Sequence, residues 1–288
     1  NNMTSERSSP NATRREKWNA IFGVDTLAPP SSITSINRLP DEQKRAVYTR
    51  FIPPSLLQRL HITPDFRDSR GRSLLSLVCP EGSSVVELRL YHEYGAPDPV
   101  LYAQLTDTLT GIPHVMLYVV NDPTAPRFDV DRMPDGTPTN FGIFHRNLPA
   151  EEAAMRAGLA PGQIRHGMRL LRGIVETFEQ FVSLLGHDRF YAEPLYYHNA
   201  VILERHGFNY QKGRKLMEEI EAGFAPEGLL RTRLDGSTPF RMPDAAGHIR
   251  LRSWAIHDGL LGHPFSGVTM YKVLGKSANV RTCPDLPW

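Results

Sequence analysis

The stretch LAPGQIRHGMRLLRGIVETFEQFVSLLGHDRFYAEPLYYHNAVILERHGF, residues 159–208, decides the fold of this 288-residue chain. Its apolar residues between 171 and 185 recur at steps of three and four, which is the spacing of one face of an α-helix. Gly186 follows directly and is typical of a helix end. A strand over 189–195 and a short helix over 199–205 come next. The stretch therefore predicts the order helix, strand, helix.

The residues before this stretch predict an antiparallel meander. Four runs alternate in polarity or are rich in β-branched residues, and turn-forming segments with Gly and Pro separate them: 73–79, 85–92, 100–108 and 114–121. Short helices are predicted at 40–51 and 54–60, a further helix at 214–222 and a last strand at 267–274. The sequence thus predicts an α/β fold with a mixed, largely antiparallel sheet flanked by helices.

The organisation outside these elements is elaborate. Residues 1–38 lack periodicity and predict an N-terminal extension or strap, and residues 39–288 predict a single domain with an inserted segment at about 209–266. The segment 121–160 carries five prolines, and only a short strand at 141–145 and a helical turn at 150–157 are predicted within it. Most of the 24 prolines lie in such loops and at element boundaries.

Composition excludes several classes of protein. With 33 Lys and Arg against 31 Asp and Glu the net charge is +2, which does not favour a nucleic-acid partner. No run approaches the roughly 18 apolar residues of a membrane span, and the polar N-terminus lacks an apolar signal region, so we expect a cytoplasmic protein without a membrane partner. The two cysteines predict reduced thiols. The strand edges of 85–121 leave homodimer pairing open.

The residues that precede the long helix could hold a diphosphate. The first turn of a helix offers unpaired backbone N–H groups and a favourable dipole to an anion, and a glycine lets phosphate oxygens approach the backbone. Polar and cationic side chains here would add donors. The predicted binding residues are Gln163, Arg165, His166, Gly167 and Arg169, together with Asn199 on the short helix that follows.

This order of elements and the local sequence motifs resemble those of the GNAT superfamily of acyl-CoA N-acyltransferases. In that family an Arg/Gln-x-x-Gly-x-Gly/Ala loop opens a long helix, and Gly167 falls on the first glycine of the pattern. The ERHGF run at 204–208 is similar to the family's short-helix ending, and MYKVL at 270–274 to its last strand. The resemblance implies a GNAT-like fold, acyl-CoA as a co-substrate rather than a tightly bound cofactor, and acyl transfer to a small-molecule or other amine acceptor.

Three positions depart from the family pattern. Ile164 stands where Arg or Gln is expected, Arg169 stands at the closing Gly/Ala position, and Leu203 occupies the place of the tyrosine that many relatives use as general acid. Tyr196, Tyr197 and Tyr210 are the candidate replacements.

We choose Glu193, His198 and Tyr197 as candidate catalytic residues, since a carboxylate beside the cleft of this fold could serve as a general base if burial raised its pKa. Two other hypotheses remain. A catalytically degenerate relative would bind a ligand or partner without transferring a group. A metal-dependent enzyme would use Glu193, His198, His257 and His263, although their spacing lacks a local zinc motif and we assign no metal ligands.

Overall fold

The computed structural model describes residues 10–23, 26, 28–283 and 285–288. The fold is α/β, with helices and an open, mostly antiparallel sheet of seven strands. The chain forms two compact units, the first from the described residues up to 119 with 169–190, and the second from 120–168 with 191–288. Each unit is described by itself.

The helices and strands follow the predicted order closely. The helices are α1 Pro10–Phe22, α2 Ile33–Ile36, α3 Asp41–Tyr48, α4 Pro54–Leu60, α5 Leu148–Arg156, α6 Leu171–Leu184, α7 Tyr197–Arg205, α8 Arg214–Phe224, α9 Leu229–Thr232 and α10 Ile249–His257. The strands are β1 Leu75–Val78, β2 Val85–Leu90, β3 Leu101–Asp107, β4 Pro113–Val120, β5 Arg189–Ala192, β6 Asn209–Lys212 and β7 Thr269–Val273. Within the helices of the described chain, none has both the length and the apolar character needed to cross a bilayer.

The first unit contains the predicted meander, with strand order β1-β2-β3-β4-β5. β1 pairs with β2 and β2 with β3, both antiparallel, with Leu75 opposite Leu90 and Val85 opposite Thr106. Alternate residues of β2 are buried, as the period of two predicts for a strand with one face on a core. The meander and the amphipathic helix α6 are therefore confirmed.

Aromatic packing around Phe51 fills the core of the first unit. The Phe51 ring lies 4.5 Å from the Phe181 ring, edge to face, and 5.4 Å from the Phe178 ring. Tyr118 contacts Phe178 and donates its hydroxyl hydrogen to the Phe51 carbonyl oxygen at 3.0 Å. The apolar stripe of α6 thus packs on the turn that follows α3, which explains why this stripe is so clear in the sequence.

Helices occupy the described part of the predicted N-terminal extension. Residues 1–9, 24, 25 and 27 of this prediction lie outside the described residues. α1 has no apolar stripe, which is why its periodicity is missing from the sequence, and it is held by buried Trp18, whose indole N–H donates to the Leu184 carbonyl oxygen at 2.7 Å. The carboxylate of Asp107 accepts from the first two N–H groups of α2, at 2.8 Å each.

The second unit contains the strand order β5-β7-β6, with β5 divided between the units after Phe190. β6 and β7 pair antiparallel. A core cluster of Val130, Ala154, Met155, Leu159, Phe240 and Trp254 joins α5 to α10. The indole N–H of Trp254 donates to the Leu159 carbonyl oxygen at 2.8 Å.

Several parts of the second unit differ from the prediction, among them β6 and α9, which were not predicted. The strand predicted at 141–145 is a turn, because Asn140, Phe141 and Gly142 all have positive φ, which an extended strand excludes. The helix α10 was not predicted, since its buried residues surround most of its axis and leave no clear stripe.

Replacing Phe51 with alanine should destabilise the first unit. Phe51 is fully buried among three aromatic rings, so the lost contacts and the cavity left behind should lower the free energy of unfolding by about 3–5 kcal/mol. Urea unfolding followed by aromatic fluorescence measures this. The matched control is Leu109→Ala, because Leu109 is fully exposed, and its effect should stay within about 0.5 kcal/mol. Equal effects of the two variants would contradict this account of the core.

Candidate functional site

The side chains of the predicted phosphate segment bind nearby backbone. Arg165 Nη1 donates to the Ala125 carbonyl oxygen at 2.7 Å, and His166 Nε2 lies 3.0 Å from the Ala157 carbonyl oxygen. Gln163 accepts from the Ala160 N–H at 2.7 Å through its side-chain oxygen. These contacts hold the segment against 122–128, where the Asp122 N–H donates to the His166 carbonyl oxygen at 2.8 Å.

The backbone of the segment is nevertheless accessible at its centre. His166 and Gly167 are exposed, and their N–H groups donate no hydrogen bond within the described residues. A Cβ added at Gly167 would meet only the Val120 carbonyl oxygen, at an ordinary 3.5 Å, so folding alone does not demand glycine there. Arg169, which belongs to the first unit, is exposed and has a φ of 56°, in the left-handed region that favours glycine.

Two of the three predicted catalytic residues lie at the start of α7. Tyr197 is buried, and its hydroxyl oxygen accepts from Arg252 Nη1 at 3.3 Å; burial raises its pKa well above the ordinary value. His198 is also buried. Glu193 is partly exposed and follows the last residue of β5. Asn199 is partly exposed on the same helix as His198. Their catalytic and binding roles remain predictions.

A cluster of aromatic and polar side chains surrounds Tyr196 in the second unit. The Tyr196 ring stacks on the His198 ring at a centroid distance of 5.7 Å and meets the His257 ring edge to face at 5.8 Å. Glu151 binds the His257 imidazole, and Ser253 binds the His198 imidazole. We call these five residues the tyrosine–histidine cluster.

Within this cluster Glu151 orients His257. The Nε2 atom of His257 lies 3.1 Å from Glu151 Oε1. Because a carboxylate can only accept, Nε2 carries the proton, and in the neutral ring Nδ1 keeps its lone pair. Nδ1 has no hydrogen-bond partner among the residues that the structure describes. The pair therefore presents a basic nitrogen whose tautomer is fixed by a carboxylate.

Buried ion pairs hold Glu151 in place. Arg146 donates to both of its oxygens at 3.0 Å and also binds Asp258 at 2.5 Å. Burial alone would raise the pKa of Glu151, but hydrogen bonds from His257 and Arg146 outweigh it and lower that pKa. Burial likewise opposes ionisation of Asp258, whose pKa is lowered by Arg146, Thr238 and Arg241.

The second imidazole is neutral. His198 Nδ1 lies 2.8 Å from Ser253 Oγ, which also accepts the His198 backbone N–H at 3.3 Å. Burial, and then the proximity of His257, lower the pKa of His198 to about 3. Ser253 is itself buried, so its hydroxyl positions His198 and is not placed to meet a substrate.

Tyr196 presents a protonated hydroxyl. Burial and the Glu151 charge raise its pKa to about 12, and in the described part of the chain the hydroxyl makes no hydrogen bond. Gly162 permits this position, because a Cβ there would lie 2.4 Å from the Tyr196 ring. Gly142 likewise leaves room for His257, because a Cβ added at position 142 would lie only 3.1 Å from that ring. The cluster thus places His257 Nδ1 and the Tyr196 hydroxyl on two aromatic rings in contact. These rings lie beside the turn at 161–162, which precedes the 163–168 segment.

Sequence reasoning found only part of this cluster. It grouped His257 with His198, His263 and Glu193 as possible metal ligands, but exposed His263 contacts the Pro264 carbonyl oxygen. Among the described residues, no three His, Cys, Asp or Glu side chains converge as metal ligands would. No sequence pattern indicated Glu151, because its partner His257 lies far along the chain.

No family model, curated protein or solved structure matches the chain.

The pH dependence of stability should reveal buried His198. Its pKa is about 3 in the folded chain and about 6.5 when unfolded, so the unfolded state binds more protons and stability falls as pH decreases through 6.5. From pH 7 to 5 this single group should remove about 2 kcal/mol of unfolding free energy. Glu151 and Asp258, with lowered pKa values, lose their contribution mainly below this interval.

Urea titrations at several pH values would measure this slope. His198→Gln should reduce the loss between pH 7 and 5 by about 2 kcal/mol, whatever its effect on stability at pH 7. The control His263→Gln, at an exposed position, should leave the slope unchanged. A wild-type slope in His198→Gln would show that His198 is not buried in its neutral form.

Proposed function

We propose that the chain is an acyl-CoA-dependent N-acyltransferase of the GNAT type, which transfers an acyl group to an amine. The order of elements supports the proposal. Between β4 and the long helix α6 lie α5 and the segment that contains Gly167; β5, the short helix α7 and the Gly207-Phe208 ending follow, and β7 is the last strand, after β6 and the helices α8, α9 and α10. With α5, β6 and α8 to α10 as additions, this is the order that the resemblance implies.

The observation that carries the proposal is the Tyr196 hydroxyl, which has no hydrogen-bond partner in the described chain, next to the His257–Glu151 pair. Acyl transfer to an amine needs a base for the amine proton and an acid for the departing thiolate. His257 Nδ1 has the lone pair of a base, and Tyr196 has a proton at neutral pH. In this proposal Tyr196 takes the general-acid role for which Tyr197 was chosen, because the Tyr197 hydroxyl is buried against Arg252.

The proposed reaction balances without an oxidant or reductant. The amine nitrogen attacks the thioester carbonyl carbon and its surplus proton passes to His257 Nδ1. The carbon–sulfur bond then breaks, and the leaving thiolate receives the Tyr196 hydroxyl proton. The products are an amide and free CoA thiol. Net proton transfer from His257 to Tyr196 through solvent restores the starting state.

The Tyr196→Phe variant should lose transfer activity and keep acyl-CoA affinity. Loss of a general acid lowers kcat by about 10²–10⁴-fold, whereas the ring packing on His198 and His257 is preserved. Thiol release from acetyl-CoA, tested with a panel of primary amines, measures the rate, and calorimetry measures the affinity. Tyr94→Phe, at an exposed tyrosine, is the matched control and should retain full activity. An undiminished rate in Tyr196→Phe would remove Tyr196 from the mechanism.

Direct binding tests the proposal independently of the acceptor. Titration calorimetry of the full chain with acetyl-CoA and longer acyl-CoAs should show one saturable site. No heat with any acyl-CoA at high protein concentration would overturn the acyltransferase assignment.

A catalytically degenerate relative of the same fold is the second candidate, and Arg169 favours it. An arginine in left-handed backbone stands where the family pattern has glycine or alanine. Arg169→Gly should raise CoA affinity if this side chain blocks an ancestral site. Wild-type binding of acyl-CoA together with a measurable transfer rate would exclude this candidate.

A further inference from the structure

The second unit contains a cavity that the proposed reaction does not use. Its volume is about 690 Å³, within the usual range of small-molecule sites, about 300–1,000 Å³. Met155, Phe240 and Leu251 line it, and all three pack in or against the core cluster of this unit. The cavity therefore has an apolar wall on a rigid base.

Arg250 brings an uncompensated charge to the wall. Its Nη1 atom donates to the carbonyl oxygens of Met155 and Leu159 at 2.6 and 2.9 Å. Across the described ranges no carboxylate lies within ion-pairing distance of this guanidinium, and burial lowers its pKa. Arg146 and Arg241, which are partly buried, and Arg252, which is buried, each bind a carboxylate instead. A half-buried cation without a counter-charge favours an anionic ligand.

The remaining donors of Arg250 fit a carboxylate. With Nη1 engaged, the parallel N–H groups of Nε and Nη2 form the open edge of the guanidinium, and this fork matches two oxygens of one carboxylate. Of the other charged residues in the wall, Arg156 is paired with Glu152 at 2.7 Å, and Asp244 is a carboxylate. A single guanidinium without a carboxylate partner, in a wall that also carries a carboxylate, suits a monoanion better than a phosphate dianion.

We propose that this cavity binds a small organic monocarboxylate with an apolar body, whose carboxylate pairs with Arg250. The apolar body lies against Met155, Phe240 and Leu251. The site is separate from the tyrosine–histidine cluster and does not depend on acyl transfer.

The test compares phenylacetate, phenylacetamide and phenyl phosphate on the full chain, by titration calorimetry and ligand-observed NMR. Phenylacetate should bind at least about ten-fold more tightly than the isosteric amide, because the amide lacks the charge that Arg250 recognises. Equal affinity for the acid and the amide would overturn the proposal. Tighter binding of phenyl phosphate than of phenylacetate would overturn the assignment to carboxylates.

Three variants sharpen the test. Arg250→Gln should weaken phenylacetate binding about ten-fold or more. The control Arg231→Gln removes an exposed arginine that also donates to a carbonyl oxygen, that of Phe224, but does not line the cavity, and it should leave affinity unchanged. Asp244→Asn removes the negative charge of the wall and should tighten binding about three-fold.

Asp244→Asn keeps the proposal testable even if Arg250→Gln does not fold, because Asp244 is exposed and has no structural partner among the described residues. Affinity that is unchanged in Asp244→Asn and in a folded Arg250→Gln would exclude the cavity as the carboxylate site. Tyr196→Phe should bind phenylacetate like the wild type, so failure here and failure of the acyltransferase proposal are separate results.

Discussion

The second unit depends on the ion pairs that Arg146 makes with two buried carboxylates. The side chains of Glu151 and Asp258 are only 4% and 7% exposed, and a carboxylate at such a depth must be paired and hydrogen-bonded. Arg146 satisfies both at once and also lies over the Phe240 ring. It thereby ties α5 to the end of α10 and sets where His257 can be. Removal of Arg146 would leave Glu151 with His257, and Asp258 with Arg241 and Thr238, as the remaining partners. The pairing of both buried carboxylates would weaken, so the position of the proposed base is tied to the stability of this unit.

Two glycines also determine the positions of His257 and Tyr196, because they let the backbone lie close to the two rings. Gly142 and Gly162 both have positive φ; a Cβ at Gly162 would collide with the Tyr196 ring, and one at Gly142 would crowd the His257 ring at 3.1 Å. The turn at 140–142 therefore lies close to the His257 ring, and the turn at 161–162 lies close to the Tyr196 ring that contacts it. The turn at 140–142, whose positive φ values exclude a strand at 141–145, is thus also the backbone that passes close to His257.

The parts of the fold that follow from local periodicity could be predicted from the sequence, and the candidate site could not. α6 and the meander can be predicted because each presents one face to a core. Their buried residues therefore recur every three to four positions in the helix and every two positions in the strands. Glu151 and His257 share no such pattern. The sequence could not choose between the neighbours Tyr196 and Tyr197, since Tyr196 is the extended residue directly before α7 and Tyr197 is the first residue of that helix, so their side chains leave the backbone in different directions. One ring lies among the histidines, whereas the other is buried against Arg252.

The charges of the network bear on the chemistry that it permits. Glu151 and Asp258 supply two negative charges, and Arg146 and Arg241 supply two positive ones, so the network is neutral without a proton on His257 Nδ1. His198, on the other side of Tyr196, is neutral because it is buried. Tyr196 contacts both imidazoles, and the raised pKa of its hydroxyl keeps the proton on the phenol. The proposed acid therefore keeps its proton at neutral pH, and its ring lies 5.8 Å, edge to face, from the imidazole of the proposed base.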